Sequence, residues 1–215
     1  TLYFASQRVW RSDDRGDNWR AISGDLTKNQ ERITLPIMGG TQSWDMPWDL
    51  LAMSNYNTIT SITESPQQAG LLYIGTDDGL LQISENGGDD WRSVPVGKLP
   101  GVPATAFVND IKADLHDSDT VYVALDNHKY GDFKPYLLKS SNRGKSWQNL
   151  SKGIPANHLV WRIVQDHVDP ELMFAGTEFG LFFTYDGGEQ WHPLTGGMPT
   201  IAVRDLAIQQ RENDL

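Results

Sequence analysis

Apolar residues along this chain come in short runs, cut off every few positions by Gly, Asp, Asn or Ser. Runs such as LMFAGT (172–177), LFFT (181–184), LLYIGT (71–76) and LLQIS (80–84) have the length and β-branched or aromatic texture of strands, and no helical period replaces it. The stretch 172–191, LMFAGTEFGLFFTYDGGEQW, shows the unit most clearly. It predicts a strand at Leu172–Gly176, a tight turn at Thr177–Gly180, a strand at Leu181–Thr184, and a turn closed by a tryptophan. Its last eight residues follow Ser/Thr-x-Asp/Asn-x-Gly-x-x-Trp, at Thr184, Asp186, Gly188 and Trp191. The same pattern recurs at Ser12, Asp14, Gly16 and Trp19, at Ser84, Asn86, Gly88 and Trp91, and at Ser140, Asn142, Gly144 and Trp147. Self-similarity of this kind marks a repeat protein.

Each residue of the motif has a local physical role. Asp or Asn accepts hydrogen bonds from backbone N–H groups further along, the Ser/Thr hydroxyl adds another, and Gly supplies a positive φ. The tryptophan folds back to bury a large ring that carries one N–H donor. These sixteen residues are therefore assigned to structure: they make a rigid hairpin corner.

A further strand precedes each trio in the later units, at Thr58–Thr63, Phe107–Ala113 and Val160–Gln165, and a fourth copy lies at Ala202–Ile208. Aligned, their cores read ITSI, VNDI, VWRI and VRDL. Four short strands with the motif at the last corner predict the blade of an all-β propeller, in four-stranded antiparallel sheets, with about four blades. The expected division is a partial blade at 1–23, an insertion at 24–56, blades at 57–96, 107–151 and 159–194, and the first strand of a next blade at 202–215. Either the two ends pair to close a four-bladed ring, or the chain is an arc of a larger propeller with open flanks. The arc is the expectation, with further blades of a parent chain or self-association covering its edges.

The motifs, with LLYIGTDDGLLQIS and LMFAGTEFGLFFT before two of them, resemble the Asp-box (BNR) repeats of sortilin-type propellers. The segments SNYNTITSI, GVPATAFVNDI and ALDNHKYGDFKPYLLKS are similar to large bacterial proteins of that superfamily, labelled glycosyl hydrolases or likened to photosystem assembly factors. The resemblance implies the propeller fold and a bacterial, secreted or periplasmic setting. It leaves the activity open, because this scaffold carries unrelated functions. Sortilin's cysteine-rich modules have no counterpart here, so its receptor role does not carry over.

Composition narrows the choice. A net charge of −10 and a pI near 4.8 argue against a nucleic-acid partner or an anionic membrane. No apolar run approaches the roughly 20 residues of a membrane span. The chain has no cysteine, hence no disulfide and no thiolate metal site; no cofactor motif and no metal site are expected.

The ligand face of a propeller carries the connections opposite the motif corners. It should bear the insertion, with Trp44, Asp45, Trp48 and Asp49, the loop Asp126–Pro135 with His128 and Tyr130, and the starts of the first strands. Those starts bring Asp110, Trp161, Arg162, Arg204 and Asp205 near the axis. They could grip a polar ligand, or Arg162 and Arg204 could merely pair with Asp110 and Asp205. Trp44 and Trp48 suit a platform for a sugar or peptide, or equally a segment packed on the propeller. The expected function is non-catalytic binding or assembly, with a peptide, protein or carbohydrate gripped by the loop face. The alternative is a glycoside hydrolase of xyloglucanase or sialidase type, for which Asp45, Asp49, Asp110, Asp126 and Asp205 are the weak candidate carboxylates.

Overall fold

The computed structural model describes residues 1–31, 34–37, 40–41, 56–212 and 214–215, so Trp44, Asp45, Trp48 and Asp49 lie outside the described residues. Nearly all regular structure is strand. β1 (Leu2–Ala5), β2 (Val9–Ser12) and β3 (Arg20–Ala21) form the first sheet, and β4 (Pro36–Ile37) with β5 (Gly40–Thr41) forms a small hairpin. The second sheet contains β6 (Ile59–Glu64), β7 (Leu72–Thr76), β8 (Leu80–Ser84) and β9 (Arg92–Pro95). The third contains β10 (Phe107–Ala113), β11 (Val121–Asn127), β12 (Asp132–Ser140) and β13 (Gln148–Asn149). The fourth contains β14 (Val160–Gln165), β15 (Met173–Thr177), β16 (Gly180–Thr184) and β17 (His192–Leu194). Every pairing is antiparallel between chain neighbours, which is the up-and-down order of propeller blades. No helix among the described residues is long and apolar enough to cross a membrane.

The core lies between the sheets. Leu81, Ile83 and Tyr73 of the second sheet bury against Val108, Ile111, Val123 and Leu138 of the third. Tyr122, Ala124 and Leu137 of the third bury against Ile163, Ala175, Phe182 and Trp191 of the fourth. A smaller cluster joins Val9 and Ile22 of the first sheet to Ile59, Leu72 and Ile74 of the second. Alternate residues of one strand thus serve opposite interfaces, so the second and third sheets are wedges buried on both faces. Gly75 lets the second and third sheets approach: a Cβ there would sit 2.2 Å from Val108.

The corner motifs share one hydrogen-bond scheme. The hydroxyls of Ser12, Ser84, Ser140 and Thr184 donate to the Asp or Asn two residues on, at 2.6–3.0 Å. They also accept the N–H of the glycine four residues on, at 2.8–3.1 Å. The Asp or Asn oxygen then accepts the N–H of Asn18, Asp90, Ser146 or Gln190. These bonds hold the Asp14 carboxyl down at about 2, chiefly through the Asn18 N–H, and depress Asp186, chiefly through the Thr184 hydroxyl.

Two expectations are corrected. The segment 202–208 forms no strand, because no neighbouring strand completes a ladder with it; it is tied instead to the fourth sheet by the Val203 N–H, which donates to Thr177 O at 2.8 Å. The stretch 126–135 is mostly strand rather than loop. β11 and β12 run on to Asn127 and from Asp132, joined by a single 3-10 turn at His128–Tyr130. Among the described residues β1 has one strand neighbour, β2, and no backbone bond joins it to 202–208, so the described sheets form an open arc.

Candidate functional site

The first strands of the three complete sheets share a device that pattern alone does not reveal. Each has a bulge at the second position of its tetrad, between Ile59 and Ser61, Val108 and Asp110, and Val160 and Arg162. A bulge re-aims the extra side chain. Thr60 thus donates to Val108 O at 2.7 Å and Asn109 to Val160 O at 2.9 Å, each stitching its sheet to the next. Trp161 holds the same position but makes no such stitch. Its indole N–H donates to Glu178 at 2.9 Å, and the Arg204 guanidinium lies 3.8 Å from its ring centroid.

The third positions form a ladder around the axis. Ser61 donates to Asp110 Oδ1 at 3.1 Å, and Arg162 Nη1 reaches the same oxygen at 3.0 Å. The Ile163 N–H occupies Oδ2 at 3.1 Å, and Lys112 stands 3.6 Å away. Arg162 continues to Asp205, with Nε 2.9 Å from Oδ1 in an ion pair not aligned as a hydrogen bond. Asp110 is fully buried and Asp205 is 78% exposed, so the ladder runs from core to surface. Arg162 therefore pairs with both aspartates. Arg204 pairs with neither; it leans on Trp161 and stands 3.6 Å from Glu178.

Asp126 is also fully buried. Its Oδ1 accepts the His128 N–H at 2.9 Å and lies 2.6 Å from His128 Nδ1, while Oδ2 has no hydrogen-bond partner among the described residues. That contact engages Nδ1, and Nε2 makes no hydrogen bond among the described residues. His128 stands edge-on to Trp161, with centroids 6.2 Å apart, and edge-on to Phe107.

His128, Phe133, Asn157, Leu159, Trp161, Glu178, Phe179 and Arg204 line an open cleft of about 390 Å³. Of the anticipated ligand residues, the structure brings together His128, Trp161 and Arg204. Arg162 sits in the ladder below. Tyr130 lies apart, beside a smaller hollow with Tyr56 and Phe107, its hydroxyl reaching Pro36 O at 3.3 Å. Sequence reasoning missed Phe133, Glu178 and Phe179. The signal was available: Glu178 and Phe179 occupy the turn Thr-Glu-Phe-Gly, the counterpart of Thr76-Asp77-Asp78-Gly79, and that turn lies on the loop face.

No protein-family model matches the chain, and no curated protein matches its sequence. Among solved structures, an ancestral GH74 enzyme superposes with a TM-score of 0.64 at 17% identity, over 91% of this chain and 22% of that one. The extracellular domain assigned to a one-component system of B. thetaiotaomicron gives 0.58 at 14%, over 94% of this chain and 22% of that one. The β-propeller domain of Cps50 (Swd1) from Myceliophteria thermophila gives 0.51 at 16%, over 74% and 48%. The chain therefore spans about a fifth of the length of the first two. At such identities the likeness speaks for fold alone, and it agrees with the sheets described above: the chain is a partial β-propeller of about four blades.

Proposed function

We propose that this is a non-catalytic binding propeller whose His128–Trp161–Arg204 cleft grips an extended peptide segment of a partner protein. The observation that carries the reading is the engagement of the described carboxylates around this cleft. Asp110 is spent on Ser61, Arg162 and Ile163, Asp126 holds His128 through Oδ1, Asp205 holds Arg162, and Glu178 holds the Trp161 N–H. Glycoside hydrolysis needs two carboxyl groups facing one bond, one free to give a proton and one to act as base or nucleophile. Binding needs only what the cleft presents: the exposed rings of Phe133 and Phe179, and a guanidinium that makes no hydrogen bond among the described residues. Arg204 also covers a face of Trp161, where a sugar ring would stack, while leaving its own N–H edge open to peptide carbonyls and carboxylates. We read the corner motifs as Asp-box repeats of a sortilin-like propeller, and the setting as outside the cytoplasm.

The test is selection from a displayed peptide library, followed by calorimetry on the selected sequences. Saturable binding weakened at least about tenfold by Trp161→Ala and Arg204→Ala is expected, with no release of sugar from plant or bacterial polysaccharides. Polysaccharide cleavage that disappears in Asp126→Asn or Glu178→Gln would establish a hydrolase instead.

A further inference from the structure

Asn86 and Gly87 are the one Asn-Gly pair in the sequence. In a flexible chain such a pair modifies itself readily, because glycine has no side chain to keep its main-chain nitrogen from the amide carbon of the asparagine before it. The Gly87 nitrogen attacks Asn86 Cγ and gives up its proton as the side-chain NH₂ leaves, so that ammonia departs and a five-membered imide closes. Water then opens the ring at either carbonyl. One opening leaves aspartate; the other leaves isoaspartate, in which the main chain runs through the former side-chain carbon. Asn86 is exposed, so burial does not keep water or hydroxide from it.

The corner holds both reacting groups. On the side chain, Oδ1 accepts the Asp90 N–H at 2.9 Å and the Ser84 hydroxyl at 3.0 Å, and Nδ2 donates to Asp90 Oδ2 at 3.0 Å. On the backbone, the Gly87 N–H donates to Gly70 O at 2.8 Å, in the turn between β6 and β7. The two chains are so close there that a Cβ on Gly70 would stand 3.1 Å from Gly87 N. The same bond recurs in the other complete sheets: the Arg143 N–H reaches Asp119 O at 2.8 Å, and the Gly187 N–H reaches Glu171 O at 3.0 Å. A nitrogen committed in this way must surrender its bond before it can lose a proton and turn on Cγ. The first sheet differs. Asp14 is clamped by Ser12 and Asn18 as Asn86 is by Ser84 and Asp90, but the Arg15 N–H makes no hydrogen bond among the described residues.

We infer that Asn86 is a site of spontaneous deamidation gated by its corner, and that the bond from Gly87 to Gly70 is the gate. Conversion runs through local opening, so its rate is the free-peptide rate multiplied by the fraction of corners that stand open. Opening gives up three side-chain bonds and the backbone one, which puts that fraction at about one in a hundred or below. The two products differ in consequence. Aspartate suits the corner, since Asp14 and Asp186 hold the same position in their own copies. Isoaspartate adds a carbon to the main chain between Ser84 and Gly88, and so breaks the 2.9 Å bond from the Gly88 N–H to the Ser84 hydroxyl. Trp91, three residues on, seats on Ile22 O, so slow deamidation loosens the joint between the first and second sheets. This inference does not depend on what the cleft binds.

The experiment is long incubation of the 215-residue chain at neutral pH beside a synthetic peptide of residues 80–95, with conversion of Asn86 followed by peptide mapping and mass spectrometry. The folded chain is expected to convert at least about a hundredfold more slowly than the peptide. In urea above the unfolding midpoint it should reach the peptide's rate. Asp14→Asn/Arg15→Gly places the same pair in the first sheet, where Arg15 already has a φ of 64° that glycine adopts freely. There the side-chain clamp is kept and the nitrogen carries no bond, so the new pair should convert at least about fivefold faster than Asn86 in the same molecule. A folded chain that deamidates at the peptide's rate would overturn the proposal. So would an Asp14→Asn/Arg15→Gly pair no faster than Asn86, because the side-chain clamp would then be restraint enough without the backbone bond.

Discussion

Replacing Asp110 by Asn tests whether the axial ladder holds the sheets together. The carboxylate is fully buried and joins three sheets, through Ser61 at 3.1 Å, Arg162 at 3.0 Å and the Ile163 N–H at 3.1 Å. An amide of the same shape keeps one acceptor but turns an NH₂ toward a donor, and it leaves the Arg162 guanidinium with Asp205 alone. Breaking a buried ion pair from one side costs about 3–5 kcal/mol. Arg162 is partly solvated and retains Asp205, so the loss here should be about 2–3 kcal/mol. For a chain of this size that is a fall in Tm of about 4–12 °C. Asp205→Asn, at the exposed end of the same ladder, should cost less than about 1 kcal/mol. Urea unfolding followed by tryptophan fluorescence measures both, and a double-mutant cycle with Arg162→Met isolates the coupling. An Asp110→Asn protein within about 0.5 kcal/mol of wild type, or no more affected than Asp205→Asn, would refute the argument.

Trp191→Phe removes a buried indole and orphans Leu150 O, and should cost about 2–3 kcal/mol. Trp19→Phe, at the equivalent but exposed corner, should stay within about 0.5 kcal/mol when both are measured by denaturant titration at micromolar or lower concentration. Thr184→Ala strips the Gly188 N–H of its acceptor and should cost about 1–2 kcal/mol, with Thr184→Ser restoring most of it in the same titration. Burial pushes the Tyr73 phenol up to about 12, and burial together with the Glu64 carboxylate does the same for Tyr3. Because the folded state favours the neutral phenols, their contribution is whole below the ordinary value of about 10 and is lost as pH rises from there to about 12. Tyr73→Phe deletes a buried hydroxyl that has no hydrogen-bond partner among the described residues, so it should not destabilise at neutral pH and should flatten that alkaline loss, read from Tm against pH.

The corner motifs were legible because every part of them answers to backbone chemistry within eight residues; nothing distant has to be known. Strand order followed, since each hairpin is local. What stayed hidden depended on neighbouring sheets. Arg162 and Arg204 hold the third and second positions of like tetrads, yet one enters the buried ladder and the other lies on the Trp161 indole, which the bulge between Val160 and Arg162 turns out of register. The extent of β11 and β12 was underread for a similar reason. The stretch DNHKYGDFKP is polar and looks like a loop, but Asp126 is buried by tertiary packing and caps the turn by accepting the His128 N–H. Phe133 falls in a stretch that reads as a loop and Phe179 in the tight turn Thr177–Gly180, and only the folded chain brings both rings to one cleft mouth.

The site sits where the repeat stops repeating. At the bulged position, Thr60 and Asn109 each use a short polar group to fasten their sheet to the next backbone. A tryptophan cannot make that bond: its single donor lies at the end of a large ring, and Glu178 takes it. The fourth sheet thus forgoes one stitch, and the space that the stitch would have closed opens instead into the cleft beneath Arg204. Had the position served stability alone, a small hydrogen-bonding side chain would satisfy it as it does twice elsewhere. Restoring one is therefore informative. Trp161→Asn should recover the missing bond and hold stability within about 1 kcal/mol of wild type, while abolishing peptide binding. A Trp161→Asn protein that unfolds easily would mark the ring as core, and one that binds unchanged would move the site elsewhere.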